Sequence, residues 1–124
     1  MAQVFSAWTR PTDAPLRIVL DQGKLYARIE AGGSYSTPGV EVQLARWYSI
    51  AAVKKGANLT LYLDGKPVGS CNAPIVSNTQ STACALGGNP RFACNEYLAA
   101  RFSDFTLYVR ALSEQEVSAA AAPK

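Results

Sequence analysis

A chain of 124 residues with 12 basic and 9 acidic side chains, net charge +3, makes one domain with room for a two-sheet core that needs no metal or disulfide staple. The basic residues are scattered, with only Lys54 and Lys55 adjacent, so the stripe that nucleic-acid binding requires is missing. Histidine is absent, which excludes Ser-His and Cys-His nucleophile systems and His-containing zinc sites.

Residues 4–8 (VFSAW) read as a strand that ends at Thr9-Arg10-Pro11. Leu16, Ile18 and Leu20 alternate with Arg17 and Val19, and Asp21-Gln22-Gly23 turns the chain. Leu25, Ala27 and Ile29 then alternate with polar residues, the pattern of a half-buried strand with a polar outer face. Residues 31–39 are rich in Gly and Ser and predict a flexible loop, after which Val40, Val42 and Leu44 resume the alternation before Trp47. Residues 46–70 predict two strands, a tight turn and a third strand in succession. Leu59, Leu61 and Leu63 share one face of the middle strand. Asp64-Gly65 takes the positive φ angles of a type I′ hairpin turn, and Pro67 in the returning strand marks an edge. Cys84 opens a strand running to Leu86. Residues 98–109 predict a last strand with Phe105, Leu107 and Val109 on one face, Thr106 and Tyr108 on the other. Ser113 and Glu116 then form an S-x-x-E capping box that starts a short helix, and residues 119–124 are expected to fray. Short strands at this spacing with one terminal helix predict an all-β, antiparallel sandwich spanning residues 1–124 as a single domain. Trp8, Trp47 and Phe105 fall inside strand patterns and are expected in its core. No apolar run reaches the length of a membrane span. The N-terminus lacks the layout of a signal peptide, so the signal of a secreted parent would lie upstream.

Three blocks recur in a known order: W-x-x-x-A-x-x-x-x-G-x-x-L-x-L-Y-x-D-G-K-x-V-G-S, then L-G-G-N-P, then F-x-D-F-x-L-Y-x-R-A-L-S-x-x-E-V. With them the chain, from residue 5 to 117, resembles the laminin G-like jelly roll of the concanavalin A-like lectin and glucanase superfamily. The resemblance implies a jelly-roll sandwich. Complete relatives open with a further strand ahead of the "saW" element, whereas this chain starts almost directly there. Either it is a compact variant or it is a fragment that lacks an N-terminal strand, with one sheet edge open. An open edge predicts homo-oligomers formed through edge strands.

For function, the resemblance implies either glycan binding or glycosidase chemistry. Glucanase relatives set their carboxylates in an E-x-D-x-E array on one strand, and no such array occurs here. Glu114 and Glu116 lie on different faces of a helix, and capping accounts for Glu116. The expectation is therefore a non-enzymatic module. Many relatives hold Ca²⁺ with carboxylates in an "F-D-D" segment, here Phe102-Ser103-Asp104, which leaves Asp104 as the candidate metal ligand. A hydrogen bond that pins the adjoining loop is the simpler role for Asp104. The three cysteines, 71, 84 and 94, match no zinc or redox spacing. A Cys71–Cys84 or a Cys84–Cys94 bridge would suit an extracellular or periplasmic parent, and three small hydrophobes would suit a reducing compartment.

Lectin-like relatives stack aromatic rings on sugar faces and bond the hydroxyls with polar groups. Tyr35 in the Gly-rich loop, Asn89, Arg91 and Phe92 in the GGNPRF loop, and Tyr97 beyond it are the candidate carbohydrate-binding residues. Their competing role is that of turn formers and loop anchors. The expected function is a lectin-like, non-catalytic carbohydrate-binding module. The alternatives are a structural or protein-interaction accessory domain of a larger extracellular protein and, more remotely, a fragment of a glycosidase. The expected partner is a carbohydrate or a protein surface, with no nucleic acid and no membrane span.

Overall fold

Alternation builds the larger sheet. A computed structural model describes residues 1–75, 81–90 and 96–122. Its first three strands, β1 (Ala2–Trp8), β2 (Asp13–Asp21) and β3 (Lys24–Ala31), form an antiparallel meander. β4 (Ser34–Ser36) and β5 (Val40–Glu41) both pair with β3, and β9 (Ala83–Leu86) pairs with the far side of β1. The strand order is β4-β3-β2-β1-β9. The second sheet is the predicted meander β6 (Ile50–Lys55), β7 (Asn58–Leu63) and β8 (Lys66–Asn72). Asp64 and Gly65 turn the β7–β8 hairpin with φ of 51° and 81°, as their side chains predict. Pro67 lies on β8, an edge strand, where its missing N–H is tolerated.

The core lies between the sheets. Phe5, Ala7, Ile18, Leu25, Ala27 and Ile29 come from the large sheet, and Leu59, Leu61 and Ala73 from the small one. Leu25, Ile29, Leu59 and Leu61 are fully buried, each contributing about 1.5–3 kcal/mol of transfer free energy. Arg17 is also buried, on the opposite face of β2, where it pairs with Glu30.

The terminal helix α1 (Glu114–Ala121) begins where its chemistry dictates. The Ser113 hydroxyl accepts the Glu116 N–H at 3.2 Å, and the Glu116 carboxylate accepts the Ser113 N–H at 2.7 Å. Helical structure continues to Ala121, three residues into the segment expected to fray. Val117 is buried, and the helix passes so close to the hairpin turn that a methyl on Gly65 would stand 3.2 Å from both Ser118 Cα and Ala121 Cβ.

The structure departs from several expectations. The 31–39 segment is not all loop: Gly32, at φ 67°, reverses the chain, and β4 returns along β3. Tyr35 pairs with Ile29, which puts its ring on the core side. The alternation after Val40 does not extend as a strand, because β5 ends at Glu41 and Ala45 turns at φ 57°. Leu44 and Trp47 thereby become exposed, Trp47 by 64%. Residues 98–109 form no strand: they pair with no ladder, and Asp104 turns at φ 56°, which interrupts an extended backbone. The segment is instead tied down by Gln3 N–H to Glu96 O and Leu98 N–H to Gly87 O, and by the Phe105 ring stacked on Phe5 at 5.6 Å. Phe105 stays half exposed and Trp8 partly buried, so neither joins the buried core in which both were expected. Of the arrangements left open for the cysteines, the structure has Cys71 and Cys84 as free thiols; Cys94 lies outside the described residues.

Candidate functional site

A groove opens beside the β7–β8 hairpin. Its walls come from three stretches: Glu41, Val42 and Gln43 after β5, Arg46 and Tyr48 before β6, and Leu63, Asp64, Lys66 and Val68 around the turn. The volume is about 640 Å³, within the ~300–1,000 Å³ typical of small-ligand sites.

Asp64 organises it. The Ser49 N–H donates to Asp64 Oδ1 at 3.0 Å, and the Asp64 N–H donates to the Ser49 carbonyl at 2.8 Å, which clips the 42–49 loop to the hairpin. Asp64 Oδ2 accepts from Arg46 Nη2 at 3.3 Å. The Arg46 guanidinium lies over the Tyr48 ring, 4.7 Å from its centroid, an exposed cation–π contact of roughly 0.5–1 kcal/mol. The Tyr48 hydroxyl accepts the Gln43 N–H at 2.8 Å, and the Val42 N–H donates to the Gly23 carbonyl. Both flanks of the loop are thus fixed before any ligand arrives. Two acidic groups, Glu41 and Asp64, balance two basic ones, Arg46 and Lys66, so the groove carries no net charge. Trp47, between two lining residues, holds an exposed indole beside the groove's sequence.

The residues singled out from sequence are distributed differently. Tyr35 sits on β4, the edge opposite β9, half-buried against the core. Asn89 and Tyr97 come near each other at the other end: Tyr97 is exposed, and its ring lies 3.3 Å from where a Gly88 Cβ would stand. Arg91 and Phe92 lie outside the described residues. The structure therefore does not bring Tyr35 together with Asn89 and Tyr97. The groove residues escaped the sequence reading because Asp64 had a sufficient role as a turn former and Trp47 as a core residue. The one local hint was Arg46-Trp47-Tyr48, a basic residue beside two aromatics in a segment with no regular period.

Asp104 is exposed, in a positive-φ conformation, and accepts a hydrogen bond from the Ser103 hydroxyl at 3.3 Å. Ca²⁺ takes about six to eight oxygens. Among the described residues no group of three or more His, Cys, Asp or Glu side chains is arranged to hold a metal ion.

Two packed antiparallel sheets with a surface groove define the class of fold, a β-sandwich. The chain belongs to the Laminin_G_3 family of the concanavalin A-like lectin/glucanases superfamily, whose family profile matches residues 3–118. Its fold is similar to that of the crystal structure of an S-layer domain-containing protein (residues 221–444) from Clostridium thermocellum ATCC 27405, with a TM-score of 0.58 and 22% identity. That match covers 91% of this chain and 58% of the other, so the chain spans little more than half of its structural neighbour. No curated protein matches the sequence. Among the described residues no helix is long and apolar enough to cross a membrane.

Proposed function

We propose that the domain is a non-catalytic carbohydrate-binding module whose glycan lies in the groove around Arg46 and Tyr48. The observation that carries this reading is the groove's charge balance beside aromatic surface. A site with paired opposite charges and no net field suits a neutral polyhydroxyl ligand, with Tyr48 offering an apolar face and Glu41, Gln43, Arg46 and Lys66 bonding hydroxyls. A polyanion would find no attraction there.

Catalysis fits poorly. A glycosidase needs two carboxylates, one of them free to hold and deliver a proton. In this groove both oxygens of Asp64 are engaged by Arg46 and Ser49, which leaves Glu41 alone. Asn89 and Tyr97 offer a second, smaller contact surface on the far side of the large sheet. That the structural neighbour is an S-layer domain-containing protein supports an extracellular parent; the free thiols of Cys71 and Cys84 add nothing to that placement.

The test is a glycan and polysaccharide screen on the purified domain, with Ca²⁺ and with chelator. A neutral glycan should be retained under both conditions, and Arg46→Gln and Tyr48→Leu should each weaken it about tenfold or more, as for loss of one charge-assisted bond or one stacking face. Tyr97→Ala should leave it unchanged if the groove is the site. A blank screen would refute the lectin reading in favour of a structural or protein-interaction domain, a reading that the exposed apolar segment described next favours.

A further inference from the structure

From Ala99 to Arg110 every residue is exposed, including Phe102, Phe105, Leu107, Tyr108 and Val109. Such a contiguous apolar run is unusual for a monomer's surface. The sequence alternates with a period of two, yet the segment joins no ladder among the described residues. It therefore has the side-chain pattern of a strand without a strand's partner.

We propose that this segment pairs antiparallel with the same segment of a second copy of the chain, across a two-fold axis at Leu107. Side-chain chemistry selects that register. Only registers centred on a residue put odd-numbered positions opposite odd-numbered ones, and so keep the apolar set together. Centring on Leu107 sets Leu107 opposite its own copy, Phe105 opposite Val109, and Thr106 opposite Tyr108. It also sets Asp104 opposite Arg110 twice, once on each side of the axis, which requires Asp104 to leave its present φ of 56° and the bend at 109–110 to straighten into the extended conformation on pairing. Centring on Thr106 would instead place Asp104 opposite Tyr108 and Val109 opposite Ser103, losing both the ion pairs and one apolar match. Opposite charges directly across a ladder, like apolar pairs there, are stabilising.

Arg110 has capacity for this. Glu116 takes one N–H from each of its Nη atoms, at 3.0 and 2.8 Å, and the guanidinium carries five donors. The same register runs Arg101 toward the partner's acidic helix start, where Glu114 and Glu116 lie. A two-fold pairing is self-complementary and closes at the dimer, which satisfies the segment without building a fibre. The contact uses none of the groove residues, so it stands independently of glycan binding.

The experiment uses the whole chain. Sedimentation equilibrium over a concentration series should show a reversible monomer–dimer transition. Leu107→Asp should leave a monomer with an unchanged thermal melt, because Leu107 is exposed, and Asp104→Arg should weaken the dimer at least tenfold. With Cys71, Cys84 and Cys94 replaced by serine, Leu107→Cys should form a disulfide dimer under mild oxidant. Directly opposed Cα atoms stand about 4.5–5.5 Å apart, inside the disulfide range. Val109→Cys in the same background should not cross-link. A single monomer mass at every concentration would overturn the proposal and leave the surface to a different polypeptide. A dimer that survives Leu107→Asp, or cross-links equally through position 109, would overturn it too.

Discussion

Glu30→Gln should cost this domain more stability than its half-open position suggests. Glu30 pairs with Arg17, whose side chain is only 8% exposed against 27% for Glu30. It also lies 3.8 Å from Arg28. In the β2–β3 register Arg17 and Arg28 are direct partners, so two like charges face each other with Glu30 between them. Among the described residues Arg17 Nε and Arg28 Nε have no partner; Arg28 Nη2 donates to Ser34 Oγ at 2.7 Å, so the glutamate is the main compensation for Arg17 and the one negative charge set between the two guanidinium groups. Removing one member of a buried pair costs about 3–5 kcal/mol. Solvent reaching Glu30, and the amide oxygen that glutamine retains, bring the expectation down to about 2 kcal/mol. At roughly 4 °C per kcal/mol for a domain of this size, the melting temperature should fall by about 8 °C in a calorimetric scan. Adding Arg28→Gln removes the unmasked repulsion and should recover part of that loss. A Glu30→Gln melt within about 2 °C of wild type would refute the reasoning, as would a double variant that melts lower than the single one.

Gly65→Ala should destabilise by more than about 1 kcal/mol, since φ of 81° strains any side chain and the new methyl would press on Ser118 and Ala121; urea unfolding measures it. The Glu116 carboxyl is held down to about 2 by its bonds from Arg110 and from the Ser113 backbone. A depressed carboxyl stabilises the fold above its unfolded pKa and loses that effect as pH falls through the folded one. The stability gap between wild type and Glu116→Gln should thus be constant above about pH 5 and close between about pH 4.5 and 2, followed by urea midpoints across that range. Burial raises the Cys71 thiol despite Lys54 nearby, whereas Cys84 is exposed on β9. Iodoacetamide mapped by mass spectrometry should therefore label Cys84 before Cys71; the reverse order would contradict the placement of β8 and β9.

The parts of this fold legible in the sequence are those whose cause is local. The β7–β8 hairpin was readable because three leucines at period two and an Asp-Gly turn depend only on neighbours in the chain. The same holds for α1, since Ser113 and Glu116 cap each other three residues apart. The miss at 98–109 is of another kind. Its alternation is that of a strand, but Asp104 turns at φ 56° and the Phe105 ring packs on Phe5, and neither the turn nor the contact shows in a period-two pattern. β4 was hidden because Gly32 and the flanking serines give loop composition while Tyr35 alone carries the inward apolar position. Of the groove only the Arg46-Trp47-Tyr48 hint shows in the sequence. The groove is assembled from three separated stretches, and the link between them is an Asp64 side chain whose turn role already looked complete.

The unequal sheets explain why one chain carries both a groove and an unpaired apolar segment. Inter-sheet contact runs through β3 with β7 and β4 with β8. β1 still contributes Phe5 and Ala7 to the core between the sheets. Phe5 is in addition stacked by the Phe105 ring, which with the backbone bonds at Glu96 and Leu98 holds the segment against β1 while Leu107 and Val109 remain exposed. The groove, by contrast, is built on β5 and the β7–β8 turn and shares no residue with the segment. The two surfaces should therefore respond to mutation independently. Leu107→Asp should abolish dimerisation and leave glycan affinity within twofold, and Arg46→Gln should do the opposite. Additivity of this kind is expected of sites without shared partners. If Leu107→Asp also removed glycan binding, as titration calorimetry would reveal, the ligand would have to bridge two copies and the groove of one chain would be only half of its site.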